Sequence, residues 1–372
     1  MTEFLRRPTH RYDDPLALVW IACAERVGFR IERTPHAYAS TDGRGTIFIG
    51  TDDTLDPDDS LAQMILHELC HALVEGETGE KQVDWGLGGT VGKNPWREHA
   101  CLRLQAYLAG SVGLRDFFAP TTDFRVSFWN SLPADPFTAS PEEGGRRERS
   151  CVAARLAAWR ASQRRWAPHL GEALGASAAI ASRVPRTQGL IAVETGENSA
   201  NGGTGKSAMP SLWTTAAEPP ARHPAGHAPV AAYHAGLGCA GCAWAFVERR
   251  GLRCRHAPGI RLPNEAPACS RFEPAGELDC LACGACCREA YDSVEISGRE
   301  PVIKRHPALV VVHETHVKLR RQGTRCAALS GGCTPSETYA CTIYEDRPRT
   351  CREFARGSGH CLDARRRVGL SL

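Results

Sequence analysis

Seventeen cysteines in 372 residues, unevenly placed, restrict this chain more than any other feature. Four stand before residue 152 (Cys23, Cys70, Cys101, Cys151), and thirteen lie between Cys239 and Cys361. A secreted chain would carry this load as disulfides; in a reducing compartment it serves metal or redox chemistry. The amino-terminal residues bear on that choice. Arg6, Arg7 and Arg11 precede an apolar run from Leu16 to Ala24, as in a leader. However, Asp13, Asp14 and Pro15 stand directly before the run, and Glu25 and Arg26 follow it. These flanks make it the Asp-capped first helix of a domain, with Pro15 in its opening turn. No apolar stretch approaches the roughly 20 residues that span a bilayer. The expectation is a cytoplasmic protein with reduced cysteines and no membrane partner.

Hydrophobic residues at 42% and charged residues at 23% exclude wholesale disorder. A net charge of +3 is too small to argue for a nucleic-acid partner. The predicted fold is α+β. Residues 1–115 form a small domain of alternating helix and strand signals, 116–183 a helical extension, 184–232 a flexible linker, and 233–372 a cysteine-rich domain of low regular secondary structure. Gly45–Gly50 is a short β-rich run. Ser60 and Gln63 make a capping box for a helix over Leu61–Val74, which Gly76 stops. Asn94-Pro95 opens a second helix that ends near Gly110. Cys151–Trp166 is amphipathic, with Val152, Leu156, Trp159 and Trp166 on one face. Arg155, Arg160, Arg164 and Arg165 lie away from that face and read as solvated. Ala200–Ser207 loosely matches a phosphate-binding loop, but Pro210 follows where that loop requires a helix, which excludes it.

Two constellations carry chemistry. The first is His67-Glu68-Leu69-Cys70-His71, an HExxH. On a helix, positions i and i+4 share a face, so two imidazoles can grip one Zn²⁺ while a coordination position stays open for water. Glu68 is then placed to take a proton from that water as general base. A third ligand is needed. Glu98, in the opening turns of the next helix, is the first choice, with His99 and Asp84 as alternatives. Residues 15–110 resemble the zincin metallopeptidases of the gluzincin type, and more loosely the ImmA/IrrE peptidases. The resemblance implies His67, His71 and Glu98 as zinc ligands, Glu68 as catalytic base, and a protein or peptide substrate.

The second constellation is Cys280-Leu-Ala-Cys283-Gly-Ala-Cys286-Cys287, followed by Cys326, Cys333, Cys341, Cys351 and Cys361. This is more thiolate than one tetrahedral zinc can use, and it suits an iron–sulfur cluster or two metal ions. Arg347 and Arg352 would offset its negative charge. The stretch Cys280–Phe354, with Cys341-Thr-Ile-Tyr-Glu-Asp-Arg-Pro-Arg-Thr-Cys351-Arg-Glu-Phe, closely resembles the YkgJ-like CxxCxxCC family of zinc- or iron-chelating domains. The resemblance implies Cys280, Cys283, Cys286, Cys287, Cys326, Cys341 and Cys351 as ligands, with Cys333 and Cys361 outside the core pattern. Flagellin lysine-N-methylases share this cysteine pattern. A third group, Cys239, Cys242, Cys254 and Cys269, offers four more thiolates for a metal site of its own, the alternatives being that they join the downstream cluster or stay unligated. Cys23, Cys70, Cys101 and Cys151 read as small core residues.

Taken together, these readings describe a metal-binding protein: a zinc-, iron- or Fe–S-binding cysteine domain fused to a zinc-dependent hydrolase or peptidase. The alternatives are a non-enzymatic metal or Fe–S regulatory protein with a degenerate zincin domain, and a protein-modification enzyme with a cysteine-cluster cofactor.

Overall fold

The computed structural model describes residues 12–372 apart from 57, 89–93, 185–211, 250, 290, 292 and 335–336. The chain forms two compact units. The first comprises residues 1–91, 108–130 and 161–219; the second comprises 92–107, 131–160 and 220–372. The phosphate-loop match at 200–207, and residues 185–211 of the expected linker, lie outside the described residues. Among the described residues no helix is long and apolar enough to cross a membrane.

The amino-terminal elements are, in chain order, α1 (Pro15–Val27), β1 (Arg30–Thr34), β2 (Ala39–Thr41), β3 (Thr46–Gly50), α2 (Leu61–Gly79), α3 (Pro95–Gly110), α4 (Phe124–Ser127), α5 (Arg149–Ala161) and α6 (Ala167–Ala181). Helix α1 starts where its flanks dictate: the Asp14 carboxylate accepts the Leu16 amide at 3.0 Å, and Pro15 fills the first position. In the first unit, β3 is the centre of a three-stranded sheet, parallel to β1 and antiparallel to β2. α1 packs on α2 and α6. Ile47, Ile49, Ile65, Leu66 and Leu69 are fully buried, each contributing about 1.5–3 kcal/mol. The Trp20 indole donates to Ser177 Oγ at 3.0 Å and meets Phe118 edge-on at 5.4 Å. Both halves of the Ser60/Gln63 capping box form. Gly76 does break α2, at φ 65° and ψ −168°, but the helix resumes to Gly79 rather than stopping. Only glycine adopts this backbone at little cost.

In the second unit, α5 corrects the expected arginine face. Arg155 is fully buried. Its guanidinium donates to the Gly369 carbonyl at 2.7 Å, to the Phe137 carbonyl at 2.5 Å, and to the Arg146 carbonyl. The buried stripe of α5 is Cys151, Ala154, Ala157, Ala158 and Ala161, whereas Val152, Leu156 and Trp159 are only half-buried. Small side chains let other chain segments approach the helix closely. Arg155 then satisfies carbonyls that would otherwise be buried without donors.

The cysteine-rich part has little regular structure. An antiparallel meander of β4 (Ala245–Glu248), β5 (Gly251–Cys254) and β6 (Ala257–Arg261) is followed by the short helices α7 (Cys280–Cys283) and α8 (Ala285–Arg288). Next come β7 (Glu295–Ile296), α9 (Pro301–Arg305), β8 (Val310–Val312) and β9 (Val317–Leu319), whose strands pair in the order β7-β9-β8. Two small hairpins follow: β10 (Arg321–Gln322) with β11 (Arg325–Cys326), and β12 (Leu329–Gly331) with β13 (Tyr339–Cys341). The chain ends with α10 (Arg349–Arg352) and α11 (Gly359–Arg367). Cysteines belong to each of three separate small cores here. Small cores of this kind contribute little stability unless a metal or disulfide reinforces them.

Candidate metal centres

Twelve cysteines of the second unit are free thiols that converge on two cavities. The smaller has a volume of about 10 Å³ and is lined by Cys239, Cys242, Cys254 and Cys269, together with His223, His227 and His256. Local backbone bonding explains how Cys239 and Cys242 face one point. The Cys242 amide donates to the Cys239 carbonyl at 3.1 Å, and the Ala245 amide to the Cys242 carbonyl at 3.0 Å, a pair of tight turns. Cys254 sits at a bulge between β5 and β6, and Cys269 is held by a bridge to Val230. A void this size is at the threshold for one water, so the site suits a single ion.

The three histidines come from residues that sequence reasoning did not assign to a site, two of them from the stretch read as linker. The His223-Pro-Ala-Gly-His227 spacing was the available signal. His223 Nδ1 accepts the Ala225 amide at 3.1 Å, so its proton resides on Nε2, which donates to Cys239 Sγ at 3.2 Å. Burial pushes His227 down to about 4 and His256 to about 2, leaving both neutral. Burial also raises the Cys239 thiol to about 12 and the Cys269 thiol to about 11. A metal ion would have to displace those protons to bind.

The larger cavity, about 360 Å³, is lined by Cys280, Cys283, Cys286, Cys287, Cys326, Cys341, Cys351 and Cys361. The CxxCxxCC spacing produces two helical turns back to back. Asp279 caps α7 by accepting the Leu281 amide at 2.9 Å. Gly284 (φ 58°) ends α7 and opens α8, and a Cβ there would lie 2.7 Å from the Tyr339 ring, so only glycine fits. The Tyr-Glu-Asp-Arg-Pro segment is anchored from outside the cavity. The Asp346 carboxylate binds Arg305, and its Oδ2 lies 2.9 Å from His306 Nε2. Arg347 stacks on Tyr344 at 3.8 Å and lines the cavity, whereas Arg352 turns to the Arg347 carbonyl at 3.0 Å. Of the two arginines expected to balance charge, only Arg347 faces the thiols. Cys361 lines the cavity although it lies outside the core motif; Cys333 is exposed, and its amide donates to Glu337 at 2.6 Å.

Within the large cavity the Cys286 and Cys287 sulfurs are 3.8 Å apart. The Cys287 thiol hydrogen-bonds the Cys286 sulfur, which lowers Cys286 and raises Cys287. Cys286 is therefore the thiol of the pair that ionises first, whereas burial holds others protonated, such as Cys351 at about 12. A lined volume of this size leaves room for more than one ion or for an iron–sulfur cluster.

In the first unit, His67 and His71 lie on one face of α2, with Nε2 atoms 3.1 Å apart and rings perpendicular at 4.7 Å. Two imidazoles binding one zinc at about 2.0–2.1 Å require a separation of this order. The Trp85 indole donates to Glu68 Oε2 at 2.7 Å. Among the described residues, Asp84 and Trp85 are the non-glycine residues with positive φ, at 51° and 53°. That strained turn aims the indole at Glu68. Glu98 and His99 stand in the first turns of α3, which belong to the second unit. Cys23, Cys70, Cys101 and Cys151 are all buried; burial raises Cys23 to about 12 and Cys151 to about 11, as befits packing residues in those two cases.

Comparison with known proteins bears on the larger cavity. Residues 279–366 match the CxxCxxCC family model, described as "Putative zinc- or iron-chelating domain". The protein YkgJ of Escherichia coli O157:H7, described as uncharacterized, is 32% identical over 104 residues, covering 25% of this chain and 93% of YkgJ. No solved structure matches the chain. The family match does not reach the HExxH segment or the smaller cavity. The matched span contains all eight thiols of the larger cavity, Cys361 included. Through this carboxy-terminal segment the chain belongs to the CxxCxxCC family.

Proposed function

We propose that this chain is a metalloprotein that holds zinc or iron on thiolates at two places in its second unit, and carries a zinc-dependent hydrolase site in its first. The observation that carries the metal reading is the convergence of twelve free cysteines, four on one cavity and eight on another. Free thiols gathered in such numbers are stable when they ligate metal as thiolates. Cys239, Cys242, Cys254 and Cys269 are the proposed ligands at the small cavity; the eight thiols of the large one take zinc, iron or an Fe–S cluster. Metal analysis and an absorption spectrum of the full chain purified without air test this. Brown protein with iron and labile sulfide assigns an Fe–S centre to the large cavity. Colourless protein with several zinc ions assigns zinc there. Protein without thiol-dependent metal overturns the reading.

The hydrolase reading rests on a specific feature: Glu68 is nearly fully buried, beside the His67–His71 pair, and is held by the Trp85 indole. A carboxylate oriented in this way is placed to accept a proton from a water near the imidazoles. Zinc, when bound, would lower the pKa of that water. The proposed substrate is a protein or peptide. The test is Glu68→Gln in the full chain. Loss of peptide hydrolysis with zinc retained supports the reading. Unchanged properties favour the alternative, a non-enzymatic metal or Fe–S protein with a degenerate zincin.

A further inference from the structure

The eight thiols of the large cavity sort into two sets. Cys283 belongs to a small core with Ala285, Ala364, Val368 and Leu370, against which Cys286 packs. Cys326 belongs to a different core, with Ile296, Val302 and Leu319, against which Cys287, Cys341 and Cys351 pack. Cys286 and Cys287 are consecutive, yet they serve different cores. Neighbouring positions on a helical turn diverge by about 100°, and α8 uses that divergence to point one thiol each way. Helix α11 packs on α8 and brings Cys361 to the first set. There its charge is felt by Cys280, together with those of Cys283 and Cys286. The neighbours that Cys351 feels are Cys326, Cys286 and Cys341.

The arginines divide in the same way. Arg321 stands beside Cys326, and Arg347 beside Cys351. Arg321 Nε and Nη1 and Arg347 Nε are buried with no hydrogen-bond partner among the described residues. Buried guanidinium N–H groups are costly unless an anion faces them. On the other side, Arg365 stands beside Cys283 and Arg356 beside Cys280. Four thiolates around one divalent ion leave a charge of about −2, which Arg321 and Arg347 are placed to offset in one set and Arg356 in the other, Arg365 being already paired with Glu273.

We propose that the eight thiols form two four-thiolate metal centres, Cys280, Cys283, Cys286 and Cys361 in one and Cys287, Cys326, Cys341 and Cys351 in the other, meeting at the Cys286–Cys287 pair. The proposal rests on the reading that this cavity binds metal. It makes Cys361 a ligand and leaves Cys333 out.

The test is the pattern of metal loss among serine variants of the full chain, with zinc, iron and labile sulfide counted after purification without air. Cys361→Ser and Cys326→Ser are each expected to lose half of the cavity's metal. Cys361→Ser with Cys286→Ser should lose no more than Cys361→Ser alone, because both sit in one centre. Cys361→Ser with Cys287→Ser should lose all of it. The half retained in the single variants doubles as the folding control. If Cys361→Ser alone empties the cavity while the protein stays folded, or if the two double variants lose equal metal, the division is overturned. If no variant changes the metal content, the metal reading itself fails. Should the serine variants not fold, cobalt(II) titration of the parent decides. Two tetrahedral four-thiolate equivalents beyond the one due to the small cavity support the proposal; a single equivalent, or bridging-thiolate absorption, overturns it.

Discussion

The two cysteine cavities of the second unit differ less in chemistry of ligand than in what surrounds the ligands. The small one, about 10 Å³, is ringed by neutral histidines and a tryptophan, with the single arginine Arg271. The large one, about 360 Å³, is ringed by arginines. In the small cavity burial holds the thiols protonated, so any ion must drive out their protons to bind. In the large cavity Cys286 is lowered, and cations wait for the charge of a loaded site. The first arrangement is that of a structural staple. The second tolerates a charged, larger metal content beside aromatic and polar groups such as Tyr291, Tyr344 and His360 that also line it. What separates the two is the dielectric and charge environment that the fold builds around similar thiols.

Four measurements break or sharpen this contrast. The largest effect is expected from Cys254→Ser. With one of four thiols gone, the small cavity should lose its ion, and structural zinc sites of this kind are worth about 10–16 kcal/mol of coupled folding. Residues 220–278 should then become sensitive to protease while the metal of the large cavity stays. An unchanged metal count would remove the staple from the comparison.

Next is Arg365→Met. Arg365 Nη2 and Glu273 Oε1 form a buried ion pair at 2.5 Å, with side chains 11% and 5% exposed. The Glu273 carbonyl accepts the Ala243 amide beside Cys242, and Arg365 neighbours Cys283, so this pair ties the two cavities together. Leaving Glu273 buried and uncompensated should cost about 3–5 kcal/mol in denaturant unfolding. A cost below about 1 kcal/mol would mean that the cavities are independent.

The third prediction concerns pH. His227 and His256 are held well below the ordinary histidine range, so between about 6.5 and 4 the unfolded chain binds protons that the folded one does not. Stability of the metal-free protein is therefore complete above pH 6.5 and falls as the pH drops through that window. Unfolding midpoints at pH 7 and pH 5 check this, and His256→Phe should flatten the difference. A midpoint that does not move would show that these rings are solvated. The smallest effect is expected from Cys333→Ser. It should shift stability by no more than about 0.5 kcal/mol and leave metal content intact, because this exposed thiol faces neither cavity. Metal loss in this variant would redraw the large site.

Much of the local structure was legible in the sequence. Asp14 and Pro15 start α1, and Ser60 and Gln63 start α2, because caps are satisfied by residues within one turn. The CxxCxxCC run likewise announced a tight double turn of thiols. Arg155 was not legible. Its place on a basic helix face suggested solvent, and only the approach of the chain near Phe137, Arg146 and Gly369 supplied the carbonyls that bury it. His223 and His227 lay in a stretch whose composition reads as linker, and nothing within that stretch reveals the thiols it meets.

The sequence by itself determined the supply and local spacing of ligands. Thiols three residues apart on a turn, imidazoles four apart on α2, and a glycine between two cysteine turns follow from helical geometry alone. The tertiary structure decided which ligands share a cavity. Cys361 joins the site because α11 packs on α8, and Cys333 stays outside it as an exposed residue following β12. It also decided which thiols are acidic and which charges face them. Burial and long-range neighbours set both, and neither is encoded in the spacing of any one motif.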